Sequence, residues 1–402
     1  NDITRYRAQV IEALLQSLCQ LPANERSRIK GVTLLGEVHH LFPDFESGMG
    51  FDKPYSVTDY SATSVADFRQ YLRARYPGIE ALNQQLGSQY ASFDSIMPPA
   101  KDIRRQPLAR FEEHLDAYAD GHLPISGWVH VQGAPAVVKV YLNGAWVADA
   151  PVHLGRQDVR AAHPEFSTAD VGWRHDLDFS KLAPGVYRID LTLSQPGHKL
   201  LNLGTRAISV MDKQQSAPLA VPSVALPDRQ PLPSNLLAAI DEPRDGASYF
   251  FNPLAVEWQS FRAAQVLRYL QFFNSLVARS CLADIARYTH QIVPQFNPSW
   301  DSGKYAAQAT LQPTKDWRTG ISLYGETTYG RSIPDWFAQS PRASYGVTEF
   351  HPLVPLTAEH LGQVINRHRS GGAAFLSFFV ETRWQGQKVN ATPNLFSFDP
   401  DN

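Results

Sequence analysis

The spacing of hydrophobic positions changes along the chain, and each change predicts a different kind of structure. Apolar residues at helical spacing predict a helix over residues 4–20, and the apolar run 29–36 predicts a buried strand that leads directly into Glu37. A loop rich in Gly, Pro and Asp follows, over about 41–62. One further helix is predicted over 63–76, with Ser64 as its cap, and another over about 78–87.

From about residue 122 to 212 apolar and polar positions alternate, which is the pattern of strands with one buried face. Asn143-Gly144 and Pro184-Gly185 stand between such runs and predict tight turns. Short strands at this spacing are typical of an immunoglobulin-like β-sandwich. The candidate strands are 126–131, 136–142, 145–149, 173–179, 186–193 and 206–211.

After residue 245 strands and helices alternate again, which predicts a parallel sheet. Helices are predicted over 253–286, beginning at Pro253, and over 357–369. Strands are predicted over 290–296, 319–325, 343–349 and 373–380, which makes five with the strand before Glu37. We therefore predict an α/β domain in two parts, residues 1–104 and 245–402, interrupted by a sandwich over 105–213 and a linker over 214–244.

Composition and charge narrow the classes of partner. The 402 residues are 43% hydrophobic, which suffices for a sizeable core, and the formal net charge is −2. Without a run of Lys or Arg, nucleic acid is not an expected partner, and no apolar run is long enough to span a membrane. Cys19 and Cys281 are either two small buried hydrophobes or one disulfide, so the sequence leaves the redox compartment open.

Polar residues cluster at the carboxyl ends of the predicted strands, where parallel α/β folds place their chemistry. This set combines carboxylates, aromatic rings and imidazoles, and comprises Glu37, His39, Asn297, Trp300, Tyr324, Glu326, Glu349, His351 and Trp384. Glycoside cleavage requires two carboxyl groups that flank the sugar, one protonated and one ionised. Adjacent His39 and His40 on a strand point to opposite faces and cannot easily bind one ion, so no metal is expected. No other cofactor is expected either.

Residues 67–99, DFRQYLRARYPGIEALNQQLGSQYASFDSIMPP, resemble the segment after the acid/base glutamate in glycoside hydrolase family 42 and related β-galactosidase-like enzymes. The opening RYRAQVIEALLQ resembles the helix before that glutamate. The resemblance implies a retaining (β/α)₈ TIM-type barrel with its acid/base at the end of strand 4 and its nucleophile at the end of strand 7. Counting from Glu37 as strand 4 makes 343–349 the seventh strand, and strands 1–3 would precede Asn1.

The same resemblance implies roles for individual residues. Glu37 is the acid/base and Glu349 the nucleophile, with Glu326 as the rival carboxylate for the second role. Tyr324 would donate a hydrogen bond to the nucleophile, and Trp384 would form the floor of the sugar site. His39, Asn297, Trp300 and His351 are expected to line it.

The expected function is a retaining glycoside hydrolase that cleaves a β-glycosidic bond in an oligo- or polysaccharide. The alternative is a catalytically inactive carbohydrate-binding or scaffold protein, because Gly36 stands where the family has an Asn that contacts the sugar 2-hydroxyl. A periplasmic or secreted location follows only from the glycosidase interpretation, and the oligomeric state stays open. Trp128, Trp146 and Trp173 of the sandwich either contact sugar or fill its core, and a structural or substrate-shaping role is expected of that domain.

Overall fold

The computed structural model describes residues 2–37, 59–131, 136–197, 199–213, 231–292, 307–330, 344–352 and 356–378, together with 333 and 337. The chain forms two compact units. The α/β unit comprises 1–39, 263–296 and 305–402, and the sandwich unit comprises 40–262 and 297–304. Residues 59–104 and 245–262, which were predicted to belong to the barrel, are therefore grouped with the sandwich.

The helices and strands follow the predicted order. The helices are α1 (Asp2–Cys19), α2 (Ala23–Arg26), α3 (Ala62–Arg75), α4 (Ile79–Leu86), α5 (Gln157–Ala162), α6 (Pro253–Ala278), α7 (Ala307–Thr310), α8 (Glu326–Tyr329) and α9 (Ala358–Ser370). The strands are β1 (Gly31–Thr33), β2 (His122–Val131), β3 (Val137–Leu142), β4 (Ala145–Pro151), β5 (Gly172–Asp178), β6 (Gly185–Ser194), β7 (Leu201–Val210), β8 (Leu236–Glu242), β9 (Ala247–Tyr249), β10 (Ala286–Tyr288), β11 (Gln291–Ile292), β12 (Gly320–Tyr324), β13 (Tyr345–His351) and β14 (Ala373–Phe378). Among the helices of the described residues, none combines the length and apolar character that crossing a membrane requires.

The α/β unit contains parallel strands that pair in chain order. Strand β1 pairs with β10, and β11 pairs with β12, which continues through β13 to β14. Only Thr289 and His290 separate β10 from β11, so these two strands together take the place of the strand predicted at 290–296. Within the described residues the strands form a two-stranded and a four-stranded sheet. The closed eight-stranded barrel stays a prediction.

A β-bulge in β13 determines which side chains share a face. Ser322 of β12 pairs with Glu349, whereas the register at the start of the two strands would pair it with Thr348. Side chains alternate between the faces of a strand, so the single extra residue reverses the direction of everything after it. The bulge therefore puts Glu349 on the same face as Ser322 and Tyr324.

Strand β12 approaches its neighbour too closely for a side chain at its first residue. A Cβ added to Gly320 would overlap the carbonyl oxygen of Thr289 and meet Thr348 Cγ2 at 2.8 Å. The Gly320 amide donates a hydrogen bond to Thr289 Oγ1 at 3.0 Å, and that hydroxyl donates to the Gly320 carbonyl at 3.3 Å. This contact holds β12 beside the short connection that carries His290.

Helix α1 packs through one face against the later part of α6. Their shared core includes Leu15 of α1 and Leu270 and Phe273 of α6. A disulfide joins Cys19, the last residue of α1, to Cys281, which follows the end of α6. Cys19 is half-buried and Cys281 exposed, so the disulfide is the correct alternative for this pair rather than two buried hydrophobes.

The sandwich unit consists of the sheets β5-β2-β8 and β4-β3-β6-β7-β9, packed over a core that includes Ile125, Val138, Trp173 and Leu191. Strand β8 lies within the range predicted as a linker and pairs with β2. The Pro- and Ser-rich composition concealed this apolar stretch, LLAAI, which adds a strand to the sheet edge.

Helices α3 and α4 pack against the first residues of α6, which explains why both belong to the sandwich unit. Phe68 and Leu82 share a core with Trp258 and Phe261. Helix α3 begins at Ala62, one residue before the predicted start, and Ser61 rather than Ser64 is its cap. The amide of Ser64 donates a hydrogen bond to the Ser61 hydroxyl at 3.2 Å.

We predict that Gly320→Ala lowers the free energy of unfolding by roughly 2–4 kcal/mol, because its Cβ overlaps backbone that cannot yield. The matched control is Gly362→Ala, since Gly362 lies in α9 with nothing within 4 Å of an added Cβ. This control is expected to raise the free energy of unfolding by about 0.5–1 kcal/mol. Urea unfolding of both variants checks the pair, and equal stability of the two would contradict the close approach.

Candidate active site

Three side chains from distant parts of the sequence meet in the α/β unit. Glu37 follows β1, His290 lies between β10 and β11, and Glu349 lies on β13. One carboxylate oxygen of each glutamate and one ring nitrogen of His290 all lie within 4.8 Å of one another. The three residues are partly buried, so the cluster is shielded from water without being sealed.

A left-handed residue ends β1 just before Glu37. The Leu34 amide still donates a hydrogen bond to the carbonyl of Tyr288 at 2.7 Å, but Leu35 takes a φ of 60°. This conformation costs a non-glycine residue roughly 1–2 kcal/mol. The strand is therefore shorter than the predicted 29–36, and the chain turns before Glu37 joins the cluster.

The surroundings of Glu37 favour its protonated form. Burial raises the pKa of Glu37, a polar contact with the Ser322 hydroxyl opposes the rise, and the nearby charge of Glu349 adds to it. Its Oε1 atom is buried and, among the described residues, has no hydrogen-bond partner. A protonated carboxyl in this position is a proton donor.

The surroundings of Glu349 favour its ionised form. Burial opposes ionisation, but hydrogen bonds from His290 and Tyr324 outweigh it and lower the pKa of Glu349. The His290 Nε2–H donates to Glu349 Oε2 at 3.3 Å. The charge of His351 acts in the same direction. The two glutamates therefore have pKa values displaced in opposite senses, which is the pattern of a general acid beside an ionised carboxylate.

The surroundings of Tyr324 favour the protonated form of its hydroxyl, which donates a hydrogen bond to Glu349. Burial raises the pKa of the Tyr324 hydroxyl, and its hydrogen bond to Glu349 and the charges of both glutamates raise it further. The ring lies beside His351, with centroids 6.1 Å apart, because the two residues pair in register at the ends of β12 and β13.

The residues predicted for the site divide into two groups. The structure brings Glu37, Tyr324, Glu349 and His351 together. Glu326 begins helix α8, and its side chain lies outside the described residues. The remaining predicted residues, His39, Asn297, Trp300 and Trp384, also lie outside the described part of the chain.

Sequence reasoning missed His290 and Ser322 as members of the site. The strand containing His290 was predicted to begin at residue 290, which put the imidazole at the amino end, away from the expected chemistry. In the structure this stretch already begins with β10 at Ala286. The sequence did contain one signal for His290. It is a polar residue in a strand that was otherwise predicted to be buried.

The same three groups can also hold a divalent cation. One imidazole and two carboxylates are a common ligand set for zinc and for redox-active metals, with the remaining positions open. Glu37, His290 and Glu349 would supply one atom each. This cluster differs from the adjacent histidines considered in the sequence, and the expectation that no metal binds stays a prediction.

We predict that His290→Ala raises the pKa of Glu349, because the variant loses the first of the two hydrogen bonds that stabilise the carboxylate. The pKa is measured from the ¹³C chemical shift of the Glu349 carboxyl carbon during a pH titration of labelled protein. His153→Ala, in the sandwich unit, is the control and should leave the titration unchanged. An identical Glu349 titration in the His290 variant and the parent chain would rule out this role.

No family model matches the chain, and the comparison with curated proteins and with solved structures finds no match either. The resemblance to family 42 therefore remains a hypothesis carried by the quoted residues.

Proposed function

We propose that this protein is a retaining glycoside hydrolase that cleaves a β-glycosidic bond in an oligo- or polysaccharide. The observation that carries the proposal is the pair Glu37 and Glu349, with carboxylate oxygens within 4.8 Å and pKa values displaced in opposite directions. Retaining enzymes hold their carboxyl groups about 5–5.5 Å apart, whereas inverting enzymes need roughly 6.5–9.5 Å to admit a water. An approach within 4.8 Å by one oxygen of each group is compatible with the retaining spacing, and the resemblance supports the β linkage.

In the first step Glu349 attacks the anomeric carbon while Glu37 gives its proton to the glycosidic oxygen. The bond from the anomeric carbon to that oxygen breaks, and a covalent glycosyl ester forms on Glu349. In the second step the ionised Glu37 takes a proton from water. The resulting oxygen attacks the anomeric carbon and releases Glu349 as a carboxylate, which restores both starting protonation states.

His290 and Tyr324 prepare Glu349 for the attack. Their two hydrogen bonds keep the carboxylate ionised and fix its orientation before the substrate arrives. When the ester forms, negative charge leaves Glu349, and the same donors then stabilise its return in the second step. Both residues therefore act through the nucleophile.

A carbohydrate-binding protein without catalysis is less well supported. Such a protein has no need for two partly buried carboxyl groups at this separation, since their repulsion destabilises the fold. Gly36 remains the feature in its favour, because glycine offers no side chain to a sugar hydroxyl.

We predict that the two glutamates respond differently to the leaving group. Glu349→Gln should abolish turnover of every aryl glycoside, because no nucleophile remains. Glu37→Gln should slow hydrolysis of substrates with poor leaving groups by about 10²–10⁴-fold. With dinitrophenyl glycosides the same variant should slow the first step far less, since that leaving group needs no proton. Burst kinetics on both substrate types measure this difference. Full activity of the Glu349 variant on the best substrate would refute the assignment.

We also predict a bell-shaped dependence of kcat/KM on pH. Activity falls on the acid side as Glu349, whose pKa is lowered, becomes protonated and ceases to be a nucleophile. It falls on the alkaline side as Glu37, whose pKa is raised, loses the proton it must donate. In Glu37→Gln the alkaline limb should disappear while the acid limb stays, and the opposite result would reverse the two roles.

A metal-dependent hydrolase is the second candidate, favoured by the ligand geometry of Glu37, His290 and Glu349. Under the glycosidase proposal we predict that prolonged dialysis against EDTA leaves turnover of aryl glycosides unchanged. Loss of activity on dialysis, with recovery on adding zinc or manganese, would favour the metal enzyme instead. Magnesium-saturated EDTA serves as the control for effects of the chelator itself.

A further inference from the structure

The three tryptophans that the sequence offered as sugar contacts lie in different surroundings. Trp173 is fully buried in the core of the sandwich. Trp128 is half-buried and packs against a small cluster around Phe166. Trp146, on β4, has 58% of its surface exposed. A single exposed apolar side chain needs no explanation in general, but Trp146 is also held in a fixed position by its neighbours.

A β-bulge turns Trp146 outward. Strand β4 pairs Ala148 with Val140 of β3, but the next pair joins Trp146 to Tyr141 and leaves Val147 as the extra residue. Without the bulge Val147 would stand opposite Tyr141, and Trp146 would point to the inner face, where a tryptophan could be buried. The local structure thus exposes the larger side chain where a regular strand would bury it.

The indole ring is fixed at the surface. Its Nε1–H donates a hydrogen bond to Asp149 Oδ1 at 2.9 Å, and Lys139 Nζ donates to the same carboxylate at 3.0 Å. The only polar group of the indole is therefore already bonded within the protein. An aromatic side chain that is ordered in advance loses little conformational entropy when a ligand stacks on its face.

Polar side chains continue the row from Trp146 across the outer face of the sheet. Tyr141 of β3 pairs in register with Asp190 of β6, which pairs with Thr205 of β7. Thr205 Oγ1 donates a hydrogen bond to Asp190 Oδ1 at 2.7 Å, and Arg188 Nε donates to the same carboxylate at 2.9 Å. Thr205 itself is buried, so the accessible part of the row, from Trp146 to Asp190, covers two strand-to-strand intervals, roughly 10 Å.

We propose that Trp146, Tyr141 and Asp190 of this row form a carbohydrate-binding surface of the sandwich unit. Thr205 is buried and holds the Asp190 carboxylate in place. The apolar C–H face of a pyranose ring stacks on the indole, and the hydroxyls of the following residue bond to the phenol and the carboxylate along the row. The choice of a polysaccharide segment as occupant rests in part on the proposed glycosidase function.

The charges beside the row favour an uncharged polyol over a protein or nucleic acid. Lys139 is paired with Asp149, and Arg188 is paired with Asp190, so each ion pair is neutral as a whole. Such pairs offer hydrogen bonds without a net field to attract a charged partner. The centre of a protein interface is, by contrast, depleted of lysine and aspartate.

The test uses native electrophoresis of the full chain through gels that contain dissolved hydroxyethyl cellulose, β-galactan or galactomannan. Glu349→Gln is present in every sample, so that the polymer is not consumed. At least one polymer should retard the chain, and adding Trp146→Ala should weaken the association on the order of tenfold. Asp149→Ala keeps the Trp146 ring but removes the hydrogen bond that fixes it. This variant should therefore weaken the association less than Trp146→Ala does.

Leu237→Ala is the matched control, because Leu237 is an exposed apolar residue of the other sheet, and its retardation should equal that of the parent. Retardation by none of the three polymers, or equal retardation of the Trp146 variant and the parent, would overturn the proposal. Hydrolysis of aryl glycosides by the unmutated chain is measured separately. Its failure would remove the proposed function and leave the electrophoresis result standing.

Discussion

Two carboxyl groups with oxygens within 4.8 Å of each other repel strongly when both are ionised. At an effective dielectric constant of about 20 the repulsion is roughly 3 kcal/mol. The surroundings relieve this repulsion by favouring the protonated form of one group and the ionised form of the other. Burial favours the proton on Glu37, while His290 and Tyr324 stabilise charge on Glu349. The division of charge that makes the cluster tolerable in a folded protein is also the one that the proposed glycosidase needs, with one acid and one nucleophile.

The backbone places these groups through local irregularities in otherwise regular strands. The bulge at Thr348 turns Glu349 to the face of Ser322, and the left-handed Leu35 ends β1 before Glu37. A second bulge, in β4, turns Trp146 out of the sandwich. In each case a regular strand would have directed the chain or the side chain elsewhere. Irregular backbone at such positions is commonly associated with function, and here it accompanies each of the sites that we propose.

The sequence predicted the order and type of the elements well, because period-two and helical spacing are local properties. It also predicted that Glu37, Tyr324, Glu349 and His351 would lie at strand ends, and the structure brings these four residues together. It could not reveal His290 as a member of the site, because the strand region around His290 begins at Ala286, earlier than the apolar run indicates. The bulge in β13 left no signal, since one extra residue does not disturb the pattern of a strand that is buried on both faces. The strand at 236–242 was concealed by the Pro-rich composition around it.

The disulfide between Cys19 and Cys281 has a topological consequence. The two cysteines are 262 positions apart, and the described sandwich strands all lie between them. A protease that cuts once within this span therefore leaves both parts of the α/β unit covalently joined. The fragments separate only after reduction, so Glu37 and Glu349, one on each side of the inserted residues, stay tethered in a nicked chain.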